Sequence, residues 1–133
     1  KYKGRVKRFR DNQRKLGLCI KCKNKPMKNQ SHCESCWYKI ASLRHFGNIK
    51  MASKLKSLAG KQNFECIYTG EKLTPGPNMS IDHIIPQSIR PDLKKDIKNM
   101  QWVTRGVNSI KRNQTHDEFI ELCRFIANRF KDV

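Results

Sequence analysis

The sequence predicts an α+β fold: a small N-terminal module stapled by cysteines, flanking helices, and a core of two short strands, a loop and a helix. Three observations carry this. Four of the six cysteines fall in two Cys-x-x-Cys pairs, Cys19/Cys22 and Cys33/Cys36. Apolar residues recur at spacings of three and four over residues 37–59 and again over 119–130, the period of a helix with one apolar face. Between these stretches lie short β-branched and aromatic runs bounded by Gly, Pro and Asn, the pattern of strands and turns.

Size and charge set the bounds. A chain of 133 residues, 37% of them hydrophobic, suits one domain or one small domain plus a stapled module, with one modest core. The formal net charge is +18, from 29 Lys and Arg against 11 Asp and Glu. A surface this basic binds polyanions by releasing their counterions, so nucleic acid is the expected partner. No apolar run approaches the roughly 20 residues of a membrane span, so a membrane surface is the weaker candidate and no membrane partner is expected. The basic amino terminus is not followed by the apolar stretch of a secretory signal. Cysteines in metal-type pairs rather than disulfides fit a reducing, cytoplasmic compartment.

In chain order, residues 1–16 form a basic arm, half Lys or Arg, that is either partly helical on phosphates or a disordered tail. Lys3, Arg5, Lys7, Arg8 and Arg10 are its expected nucleic-acid contacts. Residues 17–37 hold the four cysteines among turn residues Gly17, Asn24, Pro26, Asn29 and Ser31. Residues 38–62 are a connecting helix and linker. Gly47-Asn48 interrupts the helical pattern, so two shorter helices are the alternative, and Gly60 to Asn63 is the expected boundary. Residues 63–133 form the last domain. Residues 64–68 read as its first strand, Met79 to Ile85 as its second, ended by Pro86. Residues 86–98 are a polar loop with one helical turn near 92–97. Residues 104–113 suit a short helix with Thr104 as N-cap. The last helix starts at a capping box, Thr115 with Glu118, and Phe119, Ile120, Leu122, Cys123, Ile126, Ala127 and Phe130 are its expected buried stripe.

The chemistry concentrates in two places. Two thiolates two residues apart can grip one tetrahedral Zn²⁺, and a second pair ten residues on closes the site. Cys19, Cys22, Cys33 and Cys36 are therefore expected to hold a structural zinc with no open position, with Lys21 and Lys23 presenting charge beside it. His32 is a weaker candidate ligand. Cys66 and Cys123 lack partners at metal spacing and read as small core hydrophobes. The second place is Asp82-His83. A carboxylate is a hard-ion ligand and an imidazole can take a proton from water near neutral pH, but the dipeptide alone is weak evidence.

The surrounding pattern strengthens it. Cys66-Ile67-Tyr68-Thr69-Gly70, Ile81-Asp82-His83-Ile84-Ile85-Pro86, Asn99-Met100-Gln101-Trp102-Val103 and Asn108-Ser109-Ile110-Lys111 follow in order. This resembles the HNH endonuclease family, with its ββα-metal core, over about residues 64–113, and Asp82 to Ser88 also looks like the HNH domain of RNA-guided CRISPR nucleases. The resemblance implies that His83 is the general base, that Asp82 and Asn108 bind one divalent ion, and that Asn99 braces the loop and helps orient His83. Lys111, one turn beyond Asn108, and Arg112 are expected contacts to DNA. An amide in the third signature position suits Mg²⁺ or Mn²⁺. Many relatives hold a zinc within the core through two Cys-x-x-Cys pairs; here only Cys66 stands at such a place, and the module before the core takes over the stapling.

The implied function is hydrolysis of phosphodiester bonds in double-stranded DNA, by a homodimer or a monomeric nicking enzyme, in a compact format that suits a phage or mobile element (homing-like). A catalytically inactive zinc-ribbon nucleic-acid-binding protein on the same scaffold is the alternative from another class. A toxin-like non-specific nuclease is a third.

Overall fold

The computed structural model describes residues 2–132; Lys1 of the arm and Val133 of the last domain lie outside it. The chain divides into two compact units between Ser57 and Leu58, before the boundary read at Gly60 to Asn63.

In the first unit the basic arm is a helix, α1 (Tyr2–Lys15). So many cations leave it almost wholly exposed, and its one buried side chain is Gln13. Gln13 Nε2 donates to the Cys22 carbonyl at 3.2 Å, tying the helix to the cysteine module. Gly17 ends α1 in the left-handed conformation (φ 65°), and the Leu18 N–H turns back to the Gln13 carbonyl at 2.9 Å. The module has no regular element until Glu34, where the next helix begins with Cys33 as its N-cap. Its turns close through Cys19 N–H to Asn24 O and Ile20 N–H to Ser31 O.

The helical pattern over 37–59 resolves into α2 (Glu34–Phe46) and α3 (Ala52–Lys61), the two-helix alternative. Gly47 (φ 76°) stops α2, its N–H donating to Leu43 O. Ser42 staples the turn: its hydroxyl donates to Asn48 O at 2.6 Å and accepts from Met51 N–H at 3.1 Å. Besides Cys36, the buried apolar residues these helices give to this unit are Tyr38, Ala41, Phe46 and Leu55.

The second unit is built on an antiparallel pair, β1 (Met79–His83) and β2 (Met100–Thr104), with Ile81 opposite Trp102 and Asp82 opposite Gln101. All of β2 is buried, so it lacks the polar-apolar alternation of a half-exposed strand. The strand expected at 64–68 is not formed. Asn63 and Phe64 take positive φ (53° and 54°), Gly70 N–H closes a turn onto Cys66 O at 2.9 Å, and pairing shrinks to a single bridge between Glu65 and Lys72. The second expected strand stops at His83 rather than Ile85, because Asn99 takes over the hydrogen bonds of Ile84 and Ile85. Gln62 lies along the outer edge of β2: its amide accepts from Trp102 N–H and donates to Trp102 O, both at 2.8 Å.

The loop after β1 contains two 3-10 turns, Pro91–Leu93 and Ile97–Asn99. Thr104 then caps α4 (Arg105–Lys111), its hydroxyl accepting from Val107 N–H. Thr115 and Glu118 form the full capping box of α5 (His116–Arg129). The buried stripe expected on α5 is largely absent. Phe119 is seated, whereas Leu122, Cys123, Phe125, Ile126 and Phe130 are exposed, because the small core offers this helix only its first turn.

Candidate functional site

In the first unit, the sulfurs of Cys19, Cys22, Cys33 and Cys36 all lie within 4.8 Å of one another, and three of the four residues are buried. Cys22 Sγ and Cys33 Sγ approach to 3.6 Å. Four thiols at this separation surround a point suited to one tetrahedral Zn²⁺ at a closed, structural site. Within the group one thiol is favoured to lose its proton first. Burial alone would raise the Cys19 thiol, but backbone N–H groups of Cys33, Lys21 and Cys22 outweigh it and bring it down to about 6. Cys36 is pushed far up, by burial and then by its sulfur neighbours. His32 stands outside the group, beside the Ser31 hydroxyl, and burial with the Lys21 and Arg10 charges lowers its imidazole. Lys21 and Lys23 are exposed around the module, as are Lys3, Arg5, Lys7 and Arg8 on α1, with Arg10 half-buried.

In the second unit the local folding of β1 separates its two chemical residues. Successive strand side chains leave on opposite faces, so Ser80 and Asp82 share one face and His83 takes the other. His83 points to the loop. Its Nε2 lies 2.9 Å from the Lys94 carbonyl, which only accepts, so Nε2 carries the hydrogen and Nδ1 keeps its lone pair. Gln87 Nε2 stands 3.3 Å from that Nδ1. Asn99 fixes this loop. Its Oδ1 accepts from Ile85 N–H and its Nδ2 donates to Ile85 O, both at 2.9 Å, and its carbonyl accepts from Ile84 N–H at 2.9 Å.

On the other face α4 places Asn108 against Ser80 (Nδ2 to Oγ, 2.8 Å) and Lys111 against Asp82 (Nζ to Oδ1, 3.0 Å). Asp82 and Asn108 thus share a strand face, each on its own partner. The Lys111 ammonium also donates to the His83 carbonyl at 3.1 Å. The side chains of this pair are 0% and 3% exposed. Lys111, expected at a phosphate, is therefore turned inward, because a buried carboxylate requires a partner charge. Arg112 is exposed just beyond it.

Gln101 and Tyr68 were not anticipated in any site. Gln101 Nε2 donates to Asp82 Oδ2 at 2.8 Å and to the Tyr68 hydroxyl at 3.2 Å. That hydroxyl lies 3.1 Å from His116 Nδ1, and the two rings stack at 5.5 Å. A polar chain therefore runs from the start of α5 to Asp82. Burial raises the Tyr68 hydroxyl, although Gln101 opposes it. The one available signal was a glutamine between the apolar residues Met100 and Trp102.

Residues 66–116 match the model of a family described as HNH endonuclease. This segment is similar to an HNH endonuclease domain. It runs from the turn at Cys66 through β1, the loop, β2 and α4 to the first residue of α5. No curated protein matches the chain. The match suggests nuclease chemistry in general, with a nucleic-acid substrate and a divalent metal. The HNH donor set fits such an ion. Asp82 and Asn108 are hard oxygen donors, and with its nitrogen on Ser80 the Asn108 amide has Oδ1 to offer. A positive charge already stands at Asp82 in the form of Lys111. Among the described residues no helix is long and apolar enough to cross a membrane.

Proposed function

We propose that this protein is a metal-dependent DNA endonuclease that hydrolyses phosphodiester bonds with one divalent ion, Mg²⁺ or Mn²⁺, and His83 as general base. The observation that carries the reading is the anchoring of the His83 ring by Lys94 O within the HNH-matching segment, one residue after Asp82 and on the opposite strand face. That anchor leaves Nδ1, which Gln87 must yield to water, as the atom that takes the proton. Asn99 acts through the loop, keeping His83 and Gln87 in place. Asp82 and Asn108 hold the ion, which supplies charge stabilisation at the phosphoryl and leaving oxygens. The cysteine module, with Zn²⁺, and the cations of α1 bind the flanking duplex: Lys3, Arg5, Lys7, Arg8 and Arg10, with Lys21, Lys23 and Arg112. A lone site cuts one strand and leaves 5′-phosphate and 3′-hydroxyl ends; a double-strand break requires a dimer or sequential nicks. The compact, basic format fits a phage or mobile-element, homing-like enzyme of the reducing cytoplasm.

The buried Asp82–Lys111 pair supports a second reading, an inactive zinc-ribbon nucleic-acid-binding protein on an HNH scaffold. Nicking of supercoiled plasmid with Mg²⁺ separates the two. The nuclease reading expects His83→Ala to lose nicking and keep DNA binding in a gel shift. If wild type and His83→Ala behave alike, it is wrong. Cleavage without site preference, read by sequencing the cut ends, would replace the homing-like assignment with a non-specific nuclease.

A further inference from the structure

Lysine is almost never fully buried, yet Lys111 has no exposed surface. Its ammonium meets two oxygens, Asp82 Oδ1 and the His83 carbonyl. The other carboxylate oxygen, Oδ2, is held by Gln101. Both oxygens of Asp82 thus have a partner, and on Oδ1 that partner is a cation. A divalent ion that binds Asp82 must come to the same carboxylate, where two positive charges in contact repel strongly in so dry a place.

We propose that Lys111 is an internal stand-in for the metal: its ammonium neutralises Asp82 until a divalent ion displaces it, so the ion's affinity is set by competition with Lys111. The inference rests on the one-metal reading of Asp82. The geometry favours exchange over a permanent structural pair. Lys111 is the last residue of α4, and the chain beyond it is exposed, with Arg112 in a left-handed turn (φ 48°). Its four-carbon stem can turn outward without moving the helix. Once displaced, the ammonium stands next to the phosphate that the reading brings to the same ion. Substrate then favours the exchange, and an idle site stays neutral.

The test uses the full chain without DNA. Mg²⁺ is titrated into ¹⁵N-lysine-labelled wild type while the buried Lys111 ammonium signal is followed, and Mn²⁺ affinity is measured by calorimetry for wild type, Lys111→Met and Asp82→Asn. The expected results are loss of the hydrogen-bonded Lys111 signal as Mg²⁺ saturates and tighter Mn²⁺ binding by Lys111→Met, within the roughly 5–150-fold range of coupled sites. Asp82→Asn should abolish binding. If Lys111→Met does not fold, the wild-type titration decides alone. Binding that requires Asp82 but leaves the Lys111 signal and affinity unchanged overturns the stand-in and spares the one-metal reading. Binding unaffected by Asp82→Asn, or none in wild type and Lys111→Met alike, overturns both.

Discussion

Replacing Asn99 removes a side chain that bridges the loop after β1 to the start of β2 through both its amide atoms. Two hydrogen bonds of 2.9 Å to Ile85 disappear in Asn99→Ala. Each is worth about 1 kcal/mol net, since the half-buried Ile85 can recover part of its bonding from water. The expected loss is about 2 kcal/mol in urea unfolding, or a fall in Tm of about 10 °C for a unit of this size. Asn99→Asp keeps the shape and Oδ1 but sets an oxygen against the Ile85 carbonyl, so it should cost at least as much. Amide exchange of residues 84–87 should accelerate more than that of β2. Nicking should fall further than the folded fraction explains, because the loop carries Gln87 and the Lys94 anchor of His83. Stability within about 0.5 kcal/mol of wild type for both variants would refute Asn99 as the brace of the loop.

Three further outcomes test other parts of the molecule. Cys33→Ser should reduce bound zinc, measured by elemental analysis, and loosen the N-terminal turn of α2; structural zinc sites supply about 10–16 kcal/mol, so a strong chelator should do the same to wild type. Phe119→Ala should cost about 3–5 kcal/mol, whereas Phe125→Ser on the same helix should stay within about 0.5 kcal/mol; equal losses would show that α5 has a covered face. Thr115→Ala should weaken the start of α5 by about 1 kcal/mol. The cap is also acid-sensitive. The Thr115 N–H on Glu118 holds that carboxyl below the usual glutamate range, so its stabilisation is present above the unfolded value and is lost as pH falls through the lower folded one. Helicity that stays unchanged on acidification through that range would contradict it.

Local signals were legible in the sequence. Thr104 and Thr115 cap helices by bonds to residues three positions away, so their sequence context suffices. The cysteine pairs likewise state their chemistry in their spacing. The strands were harder. Met100–Thr104 is buried on both faces and carries no period, and the run at 64–68 has strand-like residues but ends in a tight turn at Gly70. Pairings across long separations were not legible: Lys111 with Asp82 and Gln101 with Tyr68 exist only once β1, β2 and α4 are stacked. The α5 stripe had helical spacing, but spacing does not say whether a core is large enough to cover it.

A ribbon of two strands has an unpaired outer edge on each side, and an open edge can recruit a strand from another molecule. At Trp102, Gln62 fills that vacancy with one side-chain amide, offering the same acceptor and donor that a neighbouring backbone would. A single glutamine therefore does at that position the work of a third strand. It guards β2, wholly apolar but for Gln101 and Thr104, against pairing with another copy of the chain.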